Sequence, residues 1–113
     1  MSDEKIWLQS YPPGVPASID PSQYTSLKAL AEESFARHAA NPAYVQMGRS
    51  LSFGEVDTLS QAFGAWLQQH AGLRRGGRVA IMLPNVLQYP IALYGVLRAG
   101  GTVANTNPLY TAR

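Results

Sequence analysis

Apolar residues run without interruption from Val79 to Leu83 (Val-Ala-Ile-Met-Leu), with none of the alternation that marks a half-exposed strand. A run of this kind predicts a parallel strand covered on both faces. Pro84-Asn85 breaks it, a nearly all-apolar stretch from Val86 to Ala99 follows, and Gly100-Gly101 leads into a second strand, Thr102 to Thr106. The pattern predicts one parallel βαβ unit, of about the usual 30 residues, with a right-handed crossover. Asn85 is placed to cap the start of the helix, and Gly100 to adopt a left-handed conformation at its end.

Between Val86 and Ala99 the clearly polar side chains are Gln88 and Arg98, so this helix should be buried on more than one side. Ala92, Gly95 and Ala99 form a stripe of small residues that lets another backbone approach closely. Leu93, Tyr94, Val96 and Leu97 then need cover from elsewhere. Pro90 predicts a kink, or a helix that truly starts there, because proline removes a donor and crowds the preceding turn.

Upstream, Leu27, Leu30, Ala31, Phe35 and Ala39 recur at helical spacing between Ser26 and about Ala40, with Glu32, Glu33, Arg37 and His38 mostly opposite, until Asn41-Pro42. Tyr44 to Met47 and Ser50 to Phe53 predict a short hairpin turning at Gly48-Arg49. Ser52-x-x-Glu55 is a capping box opening a second helix, whose apolar face is read as Val56, Leu59, Phe63, Trp66 and Leu67, ended by Gly72. Residues 6 to 24 carry Pro12, Pro13, Pro16 and Pro21 with Trp7, Tyr11, Ile19 and Tyr24 between them. They predict an extended arm laid along the surface in preference to one docked on a second subunit.

Composition changes this picture little. The 113 residues suffice for one small domain, 46% are hydrophobic and 14% charged, and the chain reads as globular. A formal net charge of +2 is too weak to argue for nucleic acid, and Arg74, Arg75 and Arg78 fall in a glycine-rich loop. With no cysteine there is no disulfide framework, thiolate nucleophile or cysteine zinc site. The opening Met-Ser-Asp-Glu-Lys is not a signal peptide, so a cytoplasmic location is expected.

Candidate chemistry is sparse. Neither Gly-x-x-x-x-Gly-Lys-Ser/Thr nor Gly-x-Gly-x-x-Gly occurs. His38 and His70 fall near helix ends, where they suit the dipole better than a metal. Glu55 and Asp57 face different ways on a helix and are not a paired acid and base. Asn105, Asn107, Tyr110 and Thr111 form the one polar cluster at the carboxyl end of a parallel strand, where open α/β sheets bind ligands, though turn and cap formation would use the same residues. Thr111 would cap a helix of which only Ala112 and Arg113 are in the sequence, so the chain is expected to be the front piece of a larger protein.

Four blocks carry a resemblance to a family. Ser52-Phe-Gly-Glu-Val, Gly76-Gly-Arg-Val-Ala-Ile-Met-Leu-Pro-Asn85, Leu97-Arg-Ala-Gly-Gly101 and Asn105-Thr-Asn-Pro-Leu-Tyr-Thr111 resemble, in order and spacing, the N-terminal blocks of the adenylate-forming acyl-CoA synthetases. Tyr11-Pro-Pro-Gly-Val-Pro-Ala and Asn85-Val-Leu-Gln-Tyr-Pro are most similar to bacterial long-chain fatty-acid–CoA ligases. Gly77 departs from the family, which usually has Asp there. The resemblance implies an α/β fold, namely the N-terminal portion of the large adenylate-forming domain, with one βαβ unit at about 78–106 preceded by two amphipathic helices and a hairpin. Residues 1–25 would be the arm and 26–113 the incomplete domain.

Such enzymes activate a fatty acid with ATP and Mg2+ to an acyl-adenylate and pass the acyl group to coenzyme A. The phosphate loop, magnesium-placing glutamate and C-terminal lysine of the family match nothing in this sequence, so the resemblance implies a scaffold with no catalytic, cofactor-binding or metal residue. It also allows a homodimer and peripheral association with the inner face of the cytoplasmic membrane. The alternatives are a medium-chain or coumarate-type ligase, and a small non-catalytic α/β interaction module whose apolar helix is covered by a partner.

Overall fold

In a computed structural model, residues 4–112 are described. The order is α1 (Leu27–Arg37), β1 (Pro42–Gln46), β2 (Arg49–Ser52), α2 (Phe53–Gln69), β3 (Arg78–Ile81), α3 (Gln88–Arg98) and β4 (Thr102–Asn105). β1 and β2 pair antiparallel, and β3 and β4 pair parallel, with Val79 beside Val103 and Ile81 beside Asn105. The expected βαβ unit is therefore present, with α3 linking the two parallel strands.

Local chemistry fixes the element ends. Ser26 caps α1 by accepting from Ala29 N–H at 3.0 Å. At α2 both halves of the capping box form: Ser52 Oγ accepts from Glu55 N–H at 3.0 Å, and Glu55 Oε1 accepts from Ser52 N–H at 3.4 Å. Removing the hydroxyl by Ser52→Ala should cost about 1 kcal/mol. A denaturant midpoint unmoved at constant m would show that the cap contributes nothing. Gly100 has φ +86°, its N–H donates to Leu97 C=O at 3.1 Å, and Gly101 N–H donates to Val96 C=O at 2.9 Å. This doubly bonded Schellman end turns the chain directly from α3 into β4.

Several expectations are corrected. The hairpin turns at Met47-Gly48, one residue earlier than Gly48-Arg49; Met47 (φ +49°) and Gly48 (φ +76°) are both left-handed, which a two-residue turn matching strand twist requires. α1 ends at Arg37 with His38 as its cap, short of Asn41-Pro42, and Pro42 already belongs to β1. Leu27 and Ala39 are exposed, leaving Ala31 and Phe35 as the buried positions of α1. α3 spans Gln88–Arg98 instead of Val86–Ala99, and Asn85 does not cap it: the N-cap is Leu87, with no side-chain bond. Pro90 causes neither the start nor a break. It is the third helical residue, where its missing N–H would have lacked an intrahelical partner anyway.

The arm also differs from continuous extension. It contains two short 3-10 segments, Ile6–Ser10 and Pro21–Gln23, the second capped by Asp20, which accepts from Ser22 N–H at 2.9 Å. Thr111 and Ala112 lie in irregular chain.

Packing centres on α2 against α3. A Cβ on Gly64 would lie 2.9 Å from Gly95 O, and one on Gly95 would lie 2.6 Å from Phe63 Cδ1 and 3.2 Å from Ser60 O. The small-residue stripe of α3 thus meets a second one on α2. Above this contact Leu67, Ile81, Val96 and Ala99 form one core cluster; Ala31, Phe35 and Val56 form another, joined to α3 by an edge-to-face contact of Phe35 with Tyr94 (5.1 Å, 88°).

The buried face of α2 is Val56, Ser60, Gly64 and Leu67, so Leu59 and Trp66, expected in the core, are exposed. The outer face of the β3–β4 pair, including Ala80 and Ala104, is also exposed, whereas the sequence predicts cover on both faces.

Candidate functional site

The carboxyl ends of β3 and β4 open into a cleft of about 340 Å³, lined by Leu83, Asn85, Tyr89, Asn105, Asn107 and Tyr110 among others. Three of the four residues expected to cluster here, Asn105, Asn107 and Tyr110, are brought together; Thr111 is not part of the lining. Two participants were not anticipated. Asn85, freed from capping, and Tyr89, in the first turn of α3, face the cleft across the sheet end.

Several of these polar groups hydrogen-bond within the fold. Tyr89 O–H donates to Asn105 Oδ1, tying α3 to the end of β4. Asn107 Oδ1 accepts from Leu109 N–H at 2.9 Å, and Asn107 C=O accepts from Tyr110 N–H at 3.0 Å, so Asn107 builds the turn around Pro108. Among the described residues lining this cleft there is no Lys, Arg, Asp, Glu or His. The donor set can hydrogen-bond a neutral group. It does not fit a triphosphate with magnesium, which needs converging cations or a cradle of backbone N–H groups.

A second cleft, of about 260 Å³, separates β1 from the start of α3 and is lined by Tyr44, Asn85, Val86, Tyr89, Pro90 and Leu93 among others. Burial pushes the Tyr44 phenol from 10.0 up to about 12, with the Tyr94 hydroxyl beside it adding to the shift. The fold thus holds the proton more tightly than the unfolded chain does. This contribution to stability is complete below pH 10 and is lost as pH rises through about 12. Denaturant midpoints should accordingly fall less steeply over pH 10 to 12 in Tyr44→Phe than in the parent, and identical slopes would remove Tyr44 as the cause.

The charged cluster of the molecule lies elsewhere and was missed in the sequence. Arg98, at the end of α3, donates through Nη1 to Asp57 Oδ1 at 2.8 Å, Asp57 C=O at 2.8 Å and Ser60 Oγ at 3.0 Å, while Nε lies 3.4 Å from Glu32 Oε1. It joins α1, α2 and α3, and it completes the hydrogen bonding of the fully buried Ser60. Glu55 is occupied in the capping box, and Asp57 in this ion pair. His38 and His70 cap separate helices; the His70 ring stacks on Trp66, and the His38 ring lies tilted at 50° to Phe53.

The family model described as AMP-binding enzyme matches residues 31–113, and the chain belongs to that family. It is 54% identical over 110 residues to the long-chain-fatty-acid–CoA ligase of Yersinia pestis and 53% identical to that of Escherichia coli O157:H7, covering 97% of this chain and 20% of each relative. The chain thus spans about a fifth of the length of these relatives. Among solved structures, VinN superposes with a TM-score of 0.71 at 29% identity, over 75% of this chain and 22% of that one.

Proposed function

We propose that these residues are the opening part of a long-chain fatty-acid–CoA ligase. In that reading the whole enzyme joins a fatty acid to AMP using ATP and Mg2+, releasing pyrophosphate, and coenzyme A then displaces AMP through its thiol. The observation that carries the reading is the identity of more than half of the residues with ligases of that name across 97% of this chain. Residues 1–25 serve as an arm and 26–113 as the first part of the large domain, contributing scaffold and no catalytic, cofactor-binding or metal-binding residue. ATP, Mg2+, CoA and the acyl chain are held by the remainder of the enzyme, and the cleft at the β3–β4 ends, which lacks the groups a triphosphate needs, supports that division.

The enzyme works in the cytoplasm, at the inner face of the cytoplasmic membrane where its acyl substrate partitions. Among the described residues no helix is long and apolar enough to cross a membrane. An acid panel tests the assignment: the ligase beginning with these residues, given ATP, Mg2+ and CoA, should form acyl-CoA from oleate in preference to octanoate and 4-coumarate. Preference for either of the other acids would replace this reading with a medium-chain or aromatic one.

A further inference from the structure

The β3–β4 pair is covered on one side only. Val79, Ile81 and Val103 pack with Val96 of α3 and Leu67 of α2, while Arg78, Ala80, Thr102 and Ala104 point the other way and are exposed. One edge is bare as well. Thr102 N–H donates to Gly77 C=O at 2.7 Å, and Thr106 N–H donates to Ile81 C=O at 2.9 Å. Successive residues of a strand direct their backbone groups to opposite edges, so Gly77, Val79 and Ile81 address β4. Arg78 and Ala80 address an edge that has no strand beside it among the described residues.

The two strands differ in composition. β3 opens the uninterrupted apolar run from Val79 to Leu83, whereas β4 and its exit carry Thr102, Asn105 and Thr106. An apolar run suits the interior of a sheet, and interspersed polar residues suit its margin. On the outer face Ala80 stands directly beside Ala104. These two methyl groups make a shallow floor on which a helix can lie close to the sheet. The described chain matches a fifth of the length of each relative, so in the ligase proposed above most of the chain lies outside it.

We infer that the bare face and edge receive the chain that follows Arg113 in that ligase: a helix crosses the outer face over Ala80 and Ala104, and a strand then pairs in parallel with β3. Handedness selects this order. Crossovers between parallel strands of one sheet are right-handed, and α3 passes from β3 to β4 across the inner face. A second right-handed crossover that leaves β4 by the opposite face must move in the opposite direction, back past β3 to its free edge. A crossover on the inner face would instead set the new strand beyond β4, leaving the apolar run of β3 at the sheet margin and Ala80 and Ala104 in water. This placement rests on the ligase reading, but its test requires no turnover. A ligase of any acid preference serves for it, so failure of the placement and failure in the acid panel are separate results.

Hydrogen–deuterium exchange resolved to single amides, on the whole ligase beginning with these residues, reads the edge directly. With a strand on each side of β3, Ala80 should exchange as slowly as Val79 and Ile81. With β4 as its one neighbour, protection alternates along β3. Fast exchange at Ala80 between slow Val79 and Ile81 would overturn the strand order, whatever the protection of Val103 and Asn105 at the far edge of β4. Ala104→Glu in the same ligase reads the face. A carboxylate placed under a helix loses its water, so the thermal midpoint should fall by several degrees, and an unchanged midpoint would overturn the helix. Should that variant not fold, Ala104→Leu supplies the reading: added bulk lowers the midpoint beneath a closely packed helix, and a midpoint unchanged or raised would contradict one.

Discussion

Replacing Arg98 with alanine should destabilise the protein by about 2 to 4 kcal/mol, far more than a surface arginine costs. The guanidinium is 12% exposed and donates to a carboxylate, a helix carbonyl and a buried hydroxyl at once. Its loss leaves Ser60, with 0% of its surface exposed, deprived of a donor, and leaves Asp57 and Glu32 without their cation. The estimate sits below that for a fully buried pair because those two carboxylates, at 39% and 40% exposure, can turn to water. Arg98→Lys should recover less than half of the loss, since one ammonium cannot reach the acceptors on both α1 and α2. Denaturant midpoints equal for lysine and arginine would show that charge alone matters here, and a loss under about 0.5 kcal/mol in the alanine variant would show that the cluster is only a surface contact.

The second large effect is expected at Leu67. Its side chain is 5% exposed and packs with Ile81, Val96 and Ala99 where α2, α3 and β3 meet. Leu67→Ala removes that apolar volume from between two helices already held at glycine contact distance, so neither can move in to close the cavity. A cost of roughly 2 to 5 kcal/mol follows. Trp66→Ala, one residue earlier, should cost far less, because Trp66 is 51% exposed. Equal losses at the two positions would mean that α2 is rotated from the orientation described.

That rotation separates what could be read along the chain from what could not. The capping box at Ser52, the left-handed Gly100 and the parallel pairing of the last two strands follow from local rules, each involving residues within a few positions or a single apolar run. The register of α2 does not. Val56, Phe63 and Leu67 belong to its buried side, but the side is centred on Ser60 and Gly64, two residues that carry no apolar signal. They are buried because Gly95 on α3 permits the helices to touch there and because Arg98 needs Ser60 and Asp57. The partner of Ser60 is 38 positions away, a relation that periodicity within one helix does not encode. Arg98 stood out in the sequence as the charged residue of an apolar helix, and that was the available signal.

The hairpin shows the same limit on a smaller scale. Gly48 marks the turn, but a two-residue loop needs left-handed geometry at both central positions, and the choice of Met47 over Arg49 as the companion is made by strand register. At the candidate cleft, the residues after β4 were readable as a polar cluster, whereas Asn85 and Tyr89 reached it only because α3 begins at Gln88 without a side-chain cap. Tyr89 is held there by its bond to Asn105.

Titration calorimetry of ATP with Mg2+ into the purified 113-residue chain, after its monomeric state and cooperative unfolding have been verified, tests the scaffold assignment most directly. The account predicts no saturable heat, because the cleft at the ends of β3 and β4 is lined by no cation and the sequence carries no glycine-rich phosphate loop to supply convergent backbone donors. Micromolar binding by a folded monomer would contradict it.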